Sequence, residues 1–322
     1  MMKKILNLLF IVVVSIFIFS CGKKDKNSVE NYPQKPIEVV VGFGAGGETD
    51  SLARLVFQYA EKYIGQKFVI INKPGASGEI AWTEAANKAP DGYTIAFINP
   101  PTFVSHPVQR ANTKYKIDDY DIICNIVMDP ACIVVKSDSS INSIENLYKL
   151  AKEKRVSIGY SGPGTSEALS LRQMDEIMNQ KLEKIPYDGS ASSIVALLGG
   201  HIDAAILNVS GAINYTNDGS LKVIGVASHE RVNEYPEAKT FEEQGINVYN
   251  VAYRGIAVPK GTPSEIIKKI DESVKSALKD PEFLKRAKEM KVPVYYLNSE
   301  EFTKVIYEIE ENLKKETAKG EW

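Results

Sequence analysis

Redox and metal-binding residues are scarce in this sequence. Its 322 residues include three cysteines, three histidines and two tryptophans. The cysteines form no CxxC pair, and His106, His201 and His229 lie far apart, so no zinc or other metal site is expected. There is no GxSxG elbow, and neither Ser161 nor Ser166 has a histidine nearby in sequence, which argues against a serine nucleophile with its base. The formal charge is −2, without the basic excess of a nucleic-acid binder. Beyond the first twenty residues no stretch approaches the length of an apolar membrane span. No short repeat is present, which argues against a solenoid. Cys124 and Cys132 lie on consecutive apolar runs. An oxidising compartment would let them pair, but buried free thiols are the plainer reading.

What is present suits a folded, exported protein. The chain is 44% hydrophobic and 25% charged, enough for a sizeable core. Lys3 and Lys4 precede an apolar stretch, Ile5 to Phe19, too short and wrongly flanked for an ordinary spanning helix. It ends at Ser20-Cys21-Gly22 and resembles a bacterial lipoprotein signal, with cleavage before Cys21 and a lipid on its thiol. The alternative is a plain secretory signal with a chance cysteine. Residues 21–35, with Lys23, Lys24 and Lys26, read as a flexible tether.

From Ile37 the pattern is that of alternating strands and helices. Ile37 to Gly42 is a β-branched run ending in glycine, a buried-strand signal. Leu52, Leu55, Val56, Tyr59, Ala60 and Tyr63 recur at helical spacing, and Gly65 closes that helix. Phe68 to Ile71 and Tyr93 to Ile98 are strands, with a helix over Ala81 to Lys88 between them. This βαβαβ order implies a parallel sheet. Two apolar runs, Ile122–Val127 and Ile133–Lys136, flank Asp129-Pro130 and suit strands crossing between domains. The pattern then restarts: strands at 156–160, 183–186, 204–207 and 223–227, helices at 167–179 and 190–198. The last part is helical, with a capping box at Thr262-Pro263-Ser264-Glu265 and further helix starts at Asp280-Pro281 and Ser299.

Two loops invite a ligand. Gly42-Phe43-Gly44-Ala45-Gly46-Gly47 matches the dinucleotide fingerprint between a strand and a helix. The acidic ribose partner that such a site wants is replaced by Asn72 and Lys73. The same glycines suit an anion cradle: a helix start offers unpaired N–H groups and a partial positive charge, with Thr49 and Asp50 as candidate caps. A tight turn with no ligand is the alternative. Ser161-Gly162-Pro163-Gly164-Thr165-Ser166 repeats the arrangement in the second half. Both loops follow the carboxyl ends of strands, where open α/β sheets bind ligands. Carboxylate pairs such as Asp118-Asp119 lie in polar stretches and read as solvated, and His106 and His229 as surface or loop residues.

Taken in order, several motifs resemble the tricarboxylate-transporter-type solute-binding proteins, the Bug or TctC-like receptors. The carriers are Lys35-Pro36-Ile37, Gly42 to Asp50 with Ala53-Arg54, Asn72 to Gly78, and Ala89 to Thr94. Gly159 to Thr165, Pro186-Tyr187-Asp188-Gly189, Leu198-Gly199-Gly200 with Asp203, Pro236 to Thr240, Tyr253-Arg254-Gly255 and Pro259 to Pro263 follow. The resemblance implies a type II periplasmic-binding fold of two α/β lobes with a cleft between them. Residues 36–132 plus 250–322 would form one lobe and 133–249 the other. It implies a small carboxylate ligand, a dicarboxylate, tricarboxylate or amino acid, held largely by backbone N–H groups and water. Phe43, Ala45, Gly46, Gly47, Thr49 and Asp50 would form one jaw, and Ser161, Gly164, Thr165 and Ser166 the other. Tyr187 and Asn208 would line the cleft, and Asp203 matches a recurrent acidic position. The implied partner is a two-component membrane permease, with no cofactor, no catalysis and a monomeric, lipid-anchored receptor on the outer face of the cell membrane. A sensor subunit for a membrane kinase would use the same fold. A secreted hydrolase would need a nucleophile–base pair in the cleft.

The chain departs from the family pattern towards acidity. Asp188 stands where lysine is usual, Glu48 where a small residue is usual, and Glu167-Ala168 near a frequent histidine; Tyr253 replaces a frequent tryptophan. These changes suggest a ligand with a positive group beside its carboxylate, unless the side chains face solvent.

Overall fold

The β-branched run Ile37–Val41 forms β1, buried at every position except Glu38. The structure, a computed structural model, describes residues 30–318. Cys21 and the apolar segment before it lie outside the described residues. After β1 come α1 (Glu48–Ile64), β2 (Phe68–Asn72), α2 (Glu79–Ala86), β3 (Thr94–Ile98) and α3 (Thr102–Gln109). β1 pairs in parallel with both β2 and β3, the βαβαβ arrangement expected. α1 buries Leu52, Leu55, Val56, Phe57 and Ala60, and ends at Gly65 in the left-handed conformation (φ 76°), whose N–H reaches Glu61 O.

The second half repeats the plan with α4 (Ile144–Glu153), β5 (Ser157–Tyr160), α5 (Ser166–Met178), β6 (Glu183–Pro186), α6 (Ser190–Leu198), β7 (Ala204–Asn208), α7 (Val209–Asn217) and β8 (Leu221–Val226). β5 lies in parallel between β6 and β7.

One long strand, β4 (Tyr120–Lys136), joins the halves. Up to Pro130 it runs antiparallel to β9 (Val251–Pro259); from Ala131 it pairs with β7 and β8 instead. The sequence suggested two runs broken by proline. Pro130 is tolerated because it stands where the strand changes partner, so its missing N–H costs no ladder bond. β9 also pairs with β3 and was not anticipated, because Arg254 and Gly255 interrupt its apolar pattern. The result is two α/β lobes that share β4, each with apolar clusters on both faces of its sheet.

The C-terminal segment, α8 (Ser264–Ala277), α9 (Pro281–Glu289), β10 (Val294–Leu297) and α10 (Ser299–Thr317), returns to the first lobe, where β10 pairs with β4. Asp280 caps α9 by accepting from Glu282 N–H. The expected capping box at Thr262 does not form: Pro263 is the cap residue, and the Thr262 hydroxyl donates to Pro259 O. Tyr32, assigned to the tether, is buried and donates to Gly92 O, so the folded body begins before residue 35. His106 is also buried, contrary to the surface expectation. Cys124 and Cys132 are free, buried thiols. Among the described residues no helix is long and apolar enough to cross a membrane, and no His/Cys/Asp/Glu group is arranged to hold a metal.

Candidate functional site

Several helix starts meet at one cavity of about 90 Å³ between the lobes, a space too small for a dinucleotide. From the first loop, Phe43, Ala45, Gly47 and Thr49 line it. From the second, Ser161, Thr165 and Ser166 do, and Asn208 lies at the end of β7. The two loops singled out by sequence therefore face a shared space.

The helix starts differ in how their N–H groups are used. α1 begins after Gly47 with no side-chain cap, so no capping side chain takes the N–H groups of its first turn. Neither Thr49 nor Asp50 caps it. The Thr49 hydroxyl accepts from Asn99 Nδ2 at 3.0 Å. Asp50 is 3% exposed and turned beneath the loop, where it accepts from Gly46 N–H (2.9 Å), Asn72 Nδ2 (2.9 Å) and Arg54. These bonds and Arg54 hold its carboxyl below the usual range although burial opposes them. Asp50 thus shapes the loop. At α5, Thr165 accepts from Ala168 N–H, and the Glu167 carboxylate folds back to accept from the Ser161 (3.3 Å) and Ser166 (3.1 Å) hydroxyls. The second jaw is therefore partly filled by the protein's own carboxylate.

A further helix start, read as a helix in the sequence but not assigned to the site, also reaches the cavity. α6 also lacks a side-chain cap, and Gly189, Ser190, Ala191 and Ser192 line the cavity. Gly189 has φ 124°, which glycine adopts without strain, so Pro186-Tyr187-Asp188-Gly189 was the available signal. Asn99 and Thr102, around the start of α3, were also missed.

Four expected residues are placed elsewhere along with Asp50. Gly46 turns the first loop at φ 83°. The Gly164 carbonyl accepts from Ser105 Oγ at 2.7 Å, a bond between lobes. Tyr187 packs against the apolar cluster of the second lobe. Asp203 accepts from both the N–H and the hydroxyl of Ser157 at 2.8 Å, tying β5 to the turn before β7. Asp203→Ala should therefore lower stability by about 1–3 kcal/mol in urea unfolding while leaving ligand affinity within about twofold.

The electrostatic centre is Arg254, which sequence reading did not assign to the site. Its side chain is 3% exposed. Nη1 donates to Asp129 at 2.7 Å, Nη2 to Asn208 Oδ1 at 2.9 Å and to Glu48 at 3.3 Å, and Nε to Thr49 at 3.4 Å. Burial disfavours the guanidinium charge, but Asp129 and Glu48 outweigh it and hold its pKa above the ordinary value. Burial also pushes the Asp129 carboxyl up, against the pull of Arg254 and Ser210. Glu48 bridges the lobes, because its other oxygen accepts from Ser190 Oγ. Burial, with Glu48 adding, raises the Glu167 carboxyl above the usual range.

Nearby, His106 packs against Gly164 and shares Ser77 O through Nε2. Burial, with the Arg110 charge adding, pushes its imidazole down from 6.5 to about 4. A histidine whose folded value lies below its unfolded value costs stability as pH falls through that interval. Between pH 7 and 4.5 the wild type should lose about 2–3 kcal/mol from this group, a component that His106→Gln lacks in paired urea titrations.

Residues 52–318 match the family described as the tripartite tricarboxylate transporter family receptor. A protein from the gbd 5′ region of Cupriavidus necator is 30% identical over 291 residues, covering 90% of this chain and 88% of that one. The solved periplasmic binding protein BugD is 28% identical with a TM-score of 0.84, over 89% of this chain and 98% of its own. A TctC solute-binding protein from Polaromonas is 30% identical with a TM-score of 0.66, over 90% and 100%.

Proposed function

Because the chain belongs to the tripartite tricarboxylate transporter receptor family, we propose that it captures a small carboxylate between its lobes and passes it to a two-component membrane permease without chemical change. The observation that carries this reading is the meeting of two uncapped helix starts, α1 and α6, at one interlobe cavity. Each presents N–H groups and the positive end of a helix dipole, which favour an anion without a fixed counter-charge. Phe43 and Pro100 supply apolar wall. In this reading residues 36–132 plus 250–322 form one lobe and 133–249 the other, a division supported by the change of β4 partner after Pro130. A guest contacting both lobes would add to the links already made by Glu48–Ser190 and Ser105–Gly164. Calorimetry and thermal shift of the soluble domain with a panel of small mono-, di- and tricarboxylates test the reading. Saturable one-to-one binding with a rise in melting temperature is expected; a panel that leaves both unchanged would remove its basis.

The receptor would be exported and held at the outer face of the membrane by a lipid on Cys21, acting as a monomer. Cys21→Ser should abolish incorporation of labelled fatty acid and leave the apolar segment before residue 21 uncleaved, read as a larger mass. Undiminished fatty-acid incorporation in that variant, or none in the unaltered protein, would exclude the anchor.

A further inference from the structure

We propose that the cavity takes a carboxylic acid that also carries a protonated amino group, with Glu48, Glu167 and Asn99 as the acceptors of that group. The proposal rests on the receptor reading above and specifies its ligand.

The first observation is the state of the cavity's cation. Among the described residues that line the cavity, Arg254 is the only lysine or arginine, and its Nε, Nη1 and Nη2 all donate within the protein. It is therefore poorly placed to receive a second carboxylate of a plain diacid. Against this one cation stand Glu48, Glu167 and Asp188 on the wall and Asp129 behind Arg254. A guest with two carboxylates would press one of them into this acidic group, in a water-poor site where like charges repel strongly.

The second observation is independent of charge. Asn99 is 6% exposed and lines the same cavity. Its Nδ2 donates to Thr49, and its Oδ1 accepts no hydrogen bond. A buried acceptor with no donor is unfavourable, and a guest N–H is the group that would satisfy it. An ammonium carries three donors and no acceptor, which suits a cavity lined by this amide and by the Glu48 and Glu167 carboxylates. Its charge would also offset the burial that now pushes the Glu167 carboxyl up. The guest carboxylate keeps the N–H groups of α1 and α6.

Matched ligand pairs that differ only in the amino group provide the test: propionate and alanine, succinate and aspartate, glutarate and glutamate. In at least one pair the amino member should bind about tenfold or more tighter by calorimetry, the worth of a charge-assisted hydrogen bond. Glu48→Gln and Glu167→Gln should each erode that preference by about tenfold. Glu48→Gln, by freeing Arg254, should tighten binding of the plain diacid. Melting curves confirm that each variant is folded before its affinities are compared. Equal binding within every pair, or tighter binding of the plain acids, overturns the amino-group site and leaves the receptor reading intact. If no ligand of either kind binds, both fall together.

Discussion

Arg254→Ala should cost about 3–5 kcal/mol in guanidinium unfolding, lowering the melting temperature by roughly 10 °C. The effect is large because the substitution leaves charges behind. Asp129 is fully buried, and apart from Arg254 its carboxylate has only Ser210, through its N–H and its hydroxyl. Glu48 loses one of its two side-chain partners, and Asn208 Oδ1 loses its donor. A lysine cannot repair this, because one ammonium does not span acceptors arranged around a planar guanidinium. The cause can be isolated with a double-mutant cycle. Asp129→Asn added to Arg254→Ala should recover a substantial part of the loss, because the buried charge goes with its partner. Additive losses in the double variant would show that Arg254 acts by packing alone. The same substitution should also weaken binding at the proposed ligand site, because Arg254 and Thr49 meet at the start of α1.

Trp82→Ala should be comparably damaging, about 3–5 kcal/mol, through a cavity the surroundings cannot fill. Trp82 is fully buried and its indole N–H donates to Phe97 O at 3.0 Å. Its ring packs edge-on against Phe103 and Tyr115 at centroid distances of 5.4 and 5.9 Å, and against Phe43 at 6.4 Å. Phe43 lies in the first glycine-bearing loop and lines the cavity between the lobes. The variant should therefore also bind ligand more weakly, whereas an equally buried residue remote from that loop, such as Phe283, should affect stability alone. Unfolding and calorimetry on Trp82→Ala and Phe283→Ala separate the two effects.

The sequence made the local features readable and left the long-range ones hidden. The β-branched run at 37–41, the glycine at 65 and the Asp280-Pro281 start each act within a few residues, and each formed as expected. The two glycine-bearing loops were legible for the same reason, since a helix start after a strand is a local event. Arg254 was not legible as a site residue, because its partners Asp129 and Glu48 are 125 and 206 positions away. The helix at α6 was read at its true position, but its start was not assigned to the site, because Gly189 precedes it without a side-chain cap. Asp50 shows the opposite case. Its position at a helix start suggested a cap or ligand contact, but Gly46, Asn72 and Arg54 draw it beneath the loop. The acidic departures at Glu48, Glu167 and Asp188 were visible in sequence, but only the fold could bring them to one cavity.

The central claim, that a small anion is held by the bare starts of α1 and α6, is tested most directly by amide resonances during a carboxylate titration of isotope-labelled protein. The largest downfield proton shifts should fall on Glu48 and Thr49 in one lobe and on Ala191 and Ser192 in the other, moving together with one dissociation constant. Saturable binding that left those four amides in place and shifted others would contradict it.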